Sequence, residues 1–131
     1  MVFTLDLLQD IRKEAFAKNE GYPYLVALLK DAWVRSYYVT MRTYTVIYTL
    51  TDWSELIEHG QDDAIVWDVF NEKALVDALR AHQRWETDFV TRLNATREAG
   101  CIDYIADLEK MIVIYRGNGG EYVESIPEIT V

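Results

Sequence analysis

Cysteine and long apolar runs are scarce in this sequence, and each scarcity excludes a class of protein. The chain has one cysteine, Cys101, so it forms no intramolecular disulfide and is not a disulfide-stapled scaffold. It has no run of 18 apolar residues, so no membrane-spanning helix is predicted. Residues 1–10 have neither a basic nor an apolar segment, which predicts no signal peptide. We therefore expect a cytoplasmic protein that does not enter the membrane.

Hydrophobic residues, in contrast, are plentiful. They make up 50% of the 131 residues, and 13% of the chain is aromatic. For a chain of this mass, folding should reduce the accessible surface from about 22,000 Å² to about 7,000 Å². That burial supports a core without disulfide or metal staples. We predict one globular domain over residues 1–131, with no visible internal repeat and no interdomain linker.

The N-terminal third predicts two helices followed by strand-like sequence. Thr4 suits an N-cap, apolar residues then recur at helical spacing, and residues 19–21 are typical of a helix end. Pro23 suits the first turn of a second helix. Residues 36–50 are rich in Tyr, Thr, Val and Ile, which favours a strand. A long helix running on from Pro23 is the alternative, because no Gly, Pro or Asn marks a turn in that segment.

The middle of the chain is predicted to combine short elements with one long helix. Residues 52–60 begin with acids and end with glycine, which is typical of a short capped helix. Residues 64–70 form a short apolar run, which indicates a buried strand. Asn71 then caps a long central helix that ends at Gly100. Residues 102–110 suit one or two further helical turns.

The clearest local signal is a β-hairpin at residues 111–126, where two strand-like segments flank the glycine-rich residues 117–120. Opposite charges and facing aromatic rings favour one register. That register pairs Arg116 with Glu121, Tyr115 with Tyr122 and Ile114 with Val123. We predict an α+β fold, in which two N-terminal helices and one long central helix pack on an antiparallel sheet that includes this hairpin.

Basic residues are also scarce, and their distribution is uneven. The chain has 22 acidic and 13 basic residues, a net charge of −9. Between Thr43 and Glu72 there is no Lys or Arg, and seven acids lie in that window. Residues 117–131 again have no base, and they contain Glu121, Glu124 and Glu128. Because nucleic acid attracts a basic footprint, we expect no direct binding of DNA or RNA.

Tryptophans interleave with the acids of the first window, which is how the anchors of protein interfaces are often built. An acidic face of this kind attracts a basic partner through complementary electrostatic potential. A solvated face that only maintains solubility is the alternative. The predicted partner-binding residues are Asp52, Trp53, Glu55, Glu58, Asp62, Asp63, Trp67, Asp68 and Glu72.

No arrangement in the sequence predicts a catalytic residue, a metal site or a cofactor. His82 and Glu86 are four residues apart, but no second histidine completes a metal-binding motif. The glycine-rich loop lacks the lysine of a phosphate-binding loop. The remaining chemical groups are expected to be structural or solvated: Cys101 as a buried thiol, His59 at a helix end, and the carboxylate pairs Asp62/Asp63, Glu86/Asp88 and Asp103/Asp107.

These features favour a small acidic binding protein without enzymatic activity. It would be an inhibitor, or an immunity or phage counter-defence protein, that docks on a basic protein that handles nucleic acid. The alternative is a small homo-oligomeric enzyme with active sites between subunits, built from His82, Arg84, Glu86 and the tyrosines. The sequence leaves the oligomeric state open.

Overall fold

A computed structural model describes residues 3–18, 22–83 and 89–128. In these ranges the chain forms four helices and six strands. The helices are α1 (Leu5–Lys18), α2 (Tyr22–Asp31), α3 (Glu72–Gln83) and α4 (Phe89–Glu98). The strands are β1 (Val34–Thr40), β2 (Thr45–Leu50), β3 (Glu55–Glu58), β4 (Cys101–Asp107), β5 (Ile112–Gly117) and β6 (Gly120–Ser125).

The six strands form one antiparallel sheet in the order β3-β2-β1-β4-β5-β6, with β1 and β4 at its centre. Every second strand residue, such as Val39 and Tyr104, is buried beneath the helices. Leu8 of α1 and Leu75 of α3 contribute to the same core. The intervening strand residues face the other way and are only partly buried. The fold is therefore two layers, with helices on one side of the sheet and none of the described elements on the other.

The two halves of this sheet repeat one another, which the sequence did not reveal. Each half consists of two helices and then three strands, and elements of the second half begin 67 residues after their counterparts, as Leu5 and Glu72 show. The same offset relates both ends of α2 to both ends of α4, and both ends of β1 to both ends of β4. The expectation of no internal repeat is wrong, because few residues other than the Val-Ile-Tyr of β2 and β5 are identical.

Backbone details repeat at the same offset. Trp33 and Gly100 both have positive φ, at 70° and 80°, and Tyr44 and Met111 share 58° and 57°. The N–H of Met41 donates to the carbonyl of Ile102, and the N–H of Leu108 donates to the carbonyl of Arg35, in mirrored hydrogen bonds of 2.9 and 3.0 Å. Thr4 and Asn71 cap α1 and α3 through side-chain oxygens. The repeat thus extends to turn geometry and capping.

Several predictions of individual elements are confirmed. The α+β class is correct, and both N-terminal helices form. The hairpin has the predicted pairs of Arg116 with Glu121, Tyr115 with Tyr122 and Ile114 with Val123. Residues 36–50 are strands rather than helix, although they form a hairpin of β1 and β2 instead of one long strand. No helix in the described ranges is long and apolar enough to cross a membrane.

Other predictions of local structure are wrong. Residues 52–60 form a turn and the strand β3 instead of a capped helix, because β3 pairs with β2 at the edge of the sheet. Residues 64–70 form no strand and expose much of their apolar surface. The long central helix is two helices, α3 and α4, and residues 84–88 between them lie outside the described residues. Residues 102–110 contribute β4, which pairs with β1 and β5, rather than helix.

Candidate functional site

Residues 59–71 connect the two halves, and we call them the connector. This segment occurs once in the described chain, between β3 and α3, and it crosses one end of the sheet towards the β5–β6 turn. It has no strand or helix, yet its main chain is held at five places along its length. The hydrogen bonds join the N–H groups of Asp62, Ala64, Trp67, Phe70 and Asn71 to the carbonyls of Thr43, Arg42, Arg97, Asn118 and Ala99, at 2.8 to 3.2 Å.

Arg97 of α4 fixes the start of the connector. Its side chain is only 7% exposed; Nε donates to the carbonyl of Met41, and Nη2 donates to Oδ2 of Asp62, both at 2.8 Å. Asp63 makes a second, exposed ion pair with Arg42. A buried guanidinium with two charge-assisted or carbonyl contacts orders the chain more than an exposed pair does. The connector is therefore held in one conformation at this end.

The other end of the connector is held by close packing. A Cβ added at Gly100 would lie 2.3 Å from the carbonyl oxygen of Val69, so only glycine allows this approach. The ring of Phe70 lies against the glycines of the β5–β6 hairpin, and the Asn118 side-chain amide donates to the carbonyl of Asp68 at 3.0 Å. Both ends of the connector are thus anchored to the second half of the fold.

Three apolar side chains project from the anchored connector into solvent. Ile65, Trp67 and Val69 alternate along the chain and are 85%, 60% and 74% exposed. We call these three residues the ridge. Val66 and Phe70 point inward and pack on the core. Alternation in an extended segment puts every second side chain on the same side, so the ridge is one continuous apolar surface.

A shallow groove of about 630 Å³ lies beside the ridge. Trp67 and Val69 form one wall, and alanines of α3 and α4 form much of its floor. Glu72 and Glu98 lie on its rim. A smaller depression of about 410 Å³ lies along the ridge itself. The full lining of the groove is Trp67, Val69, Phe70, Asn71, Glu72, Ala74, Ala95, Glu98 and Ala99.

The acids around the ridge fall into two kinds. Asp62 and Asp63 are used in the ion pairs that anchor the connector. Asp68, Glu72 and Glu98 are exposed and make no ion pair within the described residues. These three carboxylates are available to a cationic partner. The ridge, the groove and the three acids together form what we call the connector face.

The structure separates the predicted partner-binding residues into two groups. Asp62, Asp63, Trp67, Asp68 and Glu72 lie in or next to the connector. The others lie elsewhere: Asp52, Trp53 and Glu55 at the β2–β3 turn and Glu58 in β3.

The β2–β3 turn lies at the opposite end of the sheet from the connector. Its Thr51 N–H bonds to Trp33 at the start of β1, and β2 spans about 20 Å between the two ends. Trp53 is 70% exposed and lies under the Arg35 guanidinium, which is 3.5 Å from the ring centroid. Hydrogen bonds from Ser54 lower the pKa of Asp52. This turn is a separate surface from the connector face.

Glu58 points to the helix side of the sheet. Its carboxylate accepts two hydrogen bonds from Arg12 of α1, at 2.6 and 2.8 Å, and Arg12 also donates to the Tyr48 hydroxyl. The second half repeats this arrangement with Arg80, Glu124 and the Tyr122 hydroxyl. Glu58 and Glu124 therefore join helix to sheet and are not free to contact a partner.

A cluster of tyrosines with one arginine lies between helices and sheet, and sequence reasoning missed the arginine. The hydroxyls of Tyr22 and Tyr37 are hydrogen-bonded, and the Tyr104 and Tyr115 rings lie 5.2 Å apart. Burial raises the pKa of Tyr37 and Tyr115, so these phenols are neutral at neutral pH. Nε of Arg92 is buried nearby without a hydrogen-bond partner. A cation without a counter-charge in the described part of the chain is suited to hold an anion.

The other chemical groups take structural or exposed positions. Burial raises the pKa of the Cys101 thiol to about 12, which confirms a buried, unreactive cysteine. His59 follows a strand and not a helix, so its predicted role at a helix end is wrong. Asp103 accepts hydrogen bonds from Tyr38 and Arg116, and Asp107 caps a turn.

Two further predictions concern histidine and metal. Glu86, Asp88 and Arg84 lie outside the described residues, so the His82/Glu86 pair is seen only at His82. Among the described residues, no group of three His, Cys, Asp or Glu side chains is placed to hold a metal ion. The residues 117–120 form the tight β5–β6 turn, as predicted.

Comparison with known sequences matches residues 12–124 to a family described as "Protein of unknown function (DUF1398)". The chain belongs to the DUF1398 family. Related proteins include Uncharacterized protein Mb2035 of Mycobacterium bovis and Uncharacterized protein Rv2012 of Mycobacterium tuberculosis. Each is 32% identical over 116 residues, which cover 84% of this chain and 70% of the relative. The DUF1398 match runs from α1 to β6, so it includes both halves of the fold and the connector.

Proposed function

We propose that this protein is a small acidic binding protein whose connector face docks on a basic protein partner in the cytoplasm. An inhibitor, immunity or counter-defence protein that acts on a protein handling nucleic acid is the class we favour. The observation that carries the proposal is the ridge: three exposed apolar side chains, Ile65, Trp67 and Val69, on a main chain that is anchored at both ends.

Anchoring the connector supports a role in binding. Ordering a flexible loop on association costs free energy, and a surface that is already ordered avoids that cost. Arg97 and the close packing at Gly100 hold the ridge in place before any partner arrives. Exposing three large apolar side chains on an anchored segment has no benefit for folding, because their burial contributes nothing to the core. A partner that covers them would gain it instead.

The chemistry of the connector face supports a cationic, partly apolar partner. Trp67 is of the residue type that most often dominates interface energetics. Asp68, Glu72 and Glu98 surround it without ion pairs of their own in the described chain. The net charge of −9 attracts a basic protein over a distance and repels nucleic acid. A lysine or arginine side chain beside an apolar group would match the rim and floor of the groove.

The first test is capture of the partner with a matched control. Tagged wild type, Trp67→Ala and Trp53→Ala are each incubated with a cell extract at low salt, and the retained proteins are identified. Both tryptophans are exposed, so both variants should fold normally. We expect a basic protein that wild type and Trp53→Ala retain and Trp67→Ala loses. Equal retention by all three, or an acidic partner, would contradict the proposal.

A second candidate function is supported by Arg92. The alternative of a small enzyme, or of a protein that binds a small anion, needs a charged group inside a cavity or cleft, and the buried guanidinium among the tyrosines is such a group. Inorganic phosphate at millimolar concentration should then raise the melting temperature of wild type and not of Arg92→Met. No phosphate effect on wild type would remove this candidate.

A further inference from the structure

The face of the sheet that no described helix covers has an apolar row across all six strands. Direct cross-strand pairing places one side chain from each strand in this row. In sheet order the row is Ile57, Ile47, Tyr38, Ile105, Ile114 and Val123. We call this surface the open face. None of these six residues belongs to the core, and the two at the edges are the most exposed.

The rows on either side are polar but carry little net charge. Most of their residues are threonine or serine. Asp103 is neutralised by Arg116 at 2.9 Å, and Asp107 caps the turn that follows β4. Glu55 and Glu121 lie on the outer strands, away from the centre. In a chain of net charge −9, this face is unusually neutral, which disfavours a basic partner here and favours a matching neutral surface.

The open face is large enough for a stable interface. Six strands spaced about 4.8 Å apart and six residues long give a flat area of roughly 29 by 20 Å, or about 580 Å². Two such faces would remove about 1,200 Å² from solvent, which reaches the lower end of specific protein interfaces. Stacking two sheets face to face is also a common way to bury an apolar sheet surface, at a separation of about 10 Å.

The internal repeat makes this face similar to itself. Tyr38 and Ile105 are counterparts at the centre, Ile47 and Ile114 are counterparts further out, and Ile57 and Val123 occupy the two edges. A rotation of 180° about the centre of the sheet therefore carries the row onto itself. A second copy can lay its row along the first with apolar side chains in contact over the full width. Two-fold pairing through one shared surface is the commonest form of oligomer.

We propose that two copies of this chain form a dimer by stacking their open faces, with the six-residue apolar row at the centre of the interface. The connector lies at one end of the sheet and its ridge is not part of this row. Dimerisation thus leaves both connector faces uncovered, and each dimer would present two of them. The inference does not depend on the function proposed for the connector face.

Sedimentation equilibrium on the purified full chain tests the dimer, with two variants of equal chemical change. Ile105→Lys places a charge at the centre of the open face, and Ile65→Lys places one on the ridge. Circular dichroism and the thermal transition report whether each variant folds. We expect wild type and Ile65→Lys to have twice the chain mass of 15.3 kDa at about 100 µM. We expect Ile105→Lys to be a monomer, with its dimer dissociation constant raised at least about 100-fold.

Each other outcome contradicts the dimer proposal. A wild type that is monomeric up to about 100 µM would overturn it, since an interface of this size should associate there. A dimer that survives Ile105→Lys but not Ile65→Lys would place the contact at the connector. If Ile105→Lys fails to fold, Val123→Lys at the exposed edge replaces it, and a dimer dissociation constant unchanged by that edge charge would also overturn the proposal.

Discussion

The two halves of this molecule have the same order of elements and largely different residues. At matched positions, Lys30 of α2 is exposed while Arg97 of α4 is buried against the connector. Trp33 and Gly100 share a positive φ, but only Gly100 has a neighbouring chain within contact distance of a Cβ. The shared features are those that build a sheet covered by helices. The differences all lie where the second half holds the connector, which is where we place the function.

The largest expected effect compares the two residues at the same positive φ. Gly100→Ala should cost about 3 kcal/mol or more, because a Cβ there adds left-handed strain and lies 2.3 Å from the Val69 carbonyl oxygen. Trp33→Ala keeps a non-glycine residue at φ 70° and should change stability by about 1 kcal/mol or less. Urea unfolding of both variants measures this. Equal losses would show that Gly100 does not have a special role in holding the connector.

The next effect compares the matched cations. Arg97→Met removes the buried contacts to Met41 and Asp62, and we expect a loss of about 3 kcal/mol. Lys30→Met, at the counterpart position on an exposed surface, should change stability by about 0.5 kcal/mol or less. Proteolysis of the native protein provides an independent readout, since only Arg97→Met should expose the connector to cleavage. A connector that stays resistant in Arg97→Met would contradict the anchoring role.

A smaller effect should be the same in both halves. Burial raises the pKa of Tyr48 to about 12 from 10.0 and raises that of Cys101 to about 12 from 9.0. Between these values the unfolded chain loses protons that the folded chain keeps, so the free energy of unfolding should be constant up to about pH 9 and fall from there to pH 12.

Two matched variants check this pH dependence. Burial also raises the pKa of Tyr115, the counterpart of Tyr48 in β5. Tyr48→Phe and Tyr115→Phe should therefore each flatten the alkaline fall in unfolding free energy, as followed by urea unfolding at a series of pH values. An alkaline fall that neither variant changes would mean that these phenols are not held neutral by the fold.

Much of the fold is predictable from local pattern, and the failures have physical causes. The C-terminal hairpin is encoded by residues that are adjacent in sequence, so its register is correct. The turn between β1 and β2 is invisible because Tyr44, rather than Gly or Asn, adopts φ 58° there. Residues 64–70 are apolar and suggest burial, but their main chain is bonded to loops and helix ends instead of strands.

The candidate site is only partly predictable for similar reasons. Trp67 and the acids near it were found from charge and aromatic content. Ile65 and Val69 were expected to be buried, because sequence alone does not show that their segment lies on the surface. Arg92 and Arg97 leave no signal, since a single arginine in a helix is ordinary and only the tertiary fold buries it.

The most direct test of the connector face is the association rate with the captured partner at low and high salt. Asp68→Lys/Glu98→Lys and Asp52→Lys/Glu55→Lys change the charge equally, the first pair at the connector and the second at the opposite end of the sheet. The account predicts that only the first double variant slows association, by about 10-fold or more, and reduces its salt dependence. Equal slowing by both double variants, or no slowing by either, would contradict it.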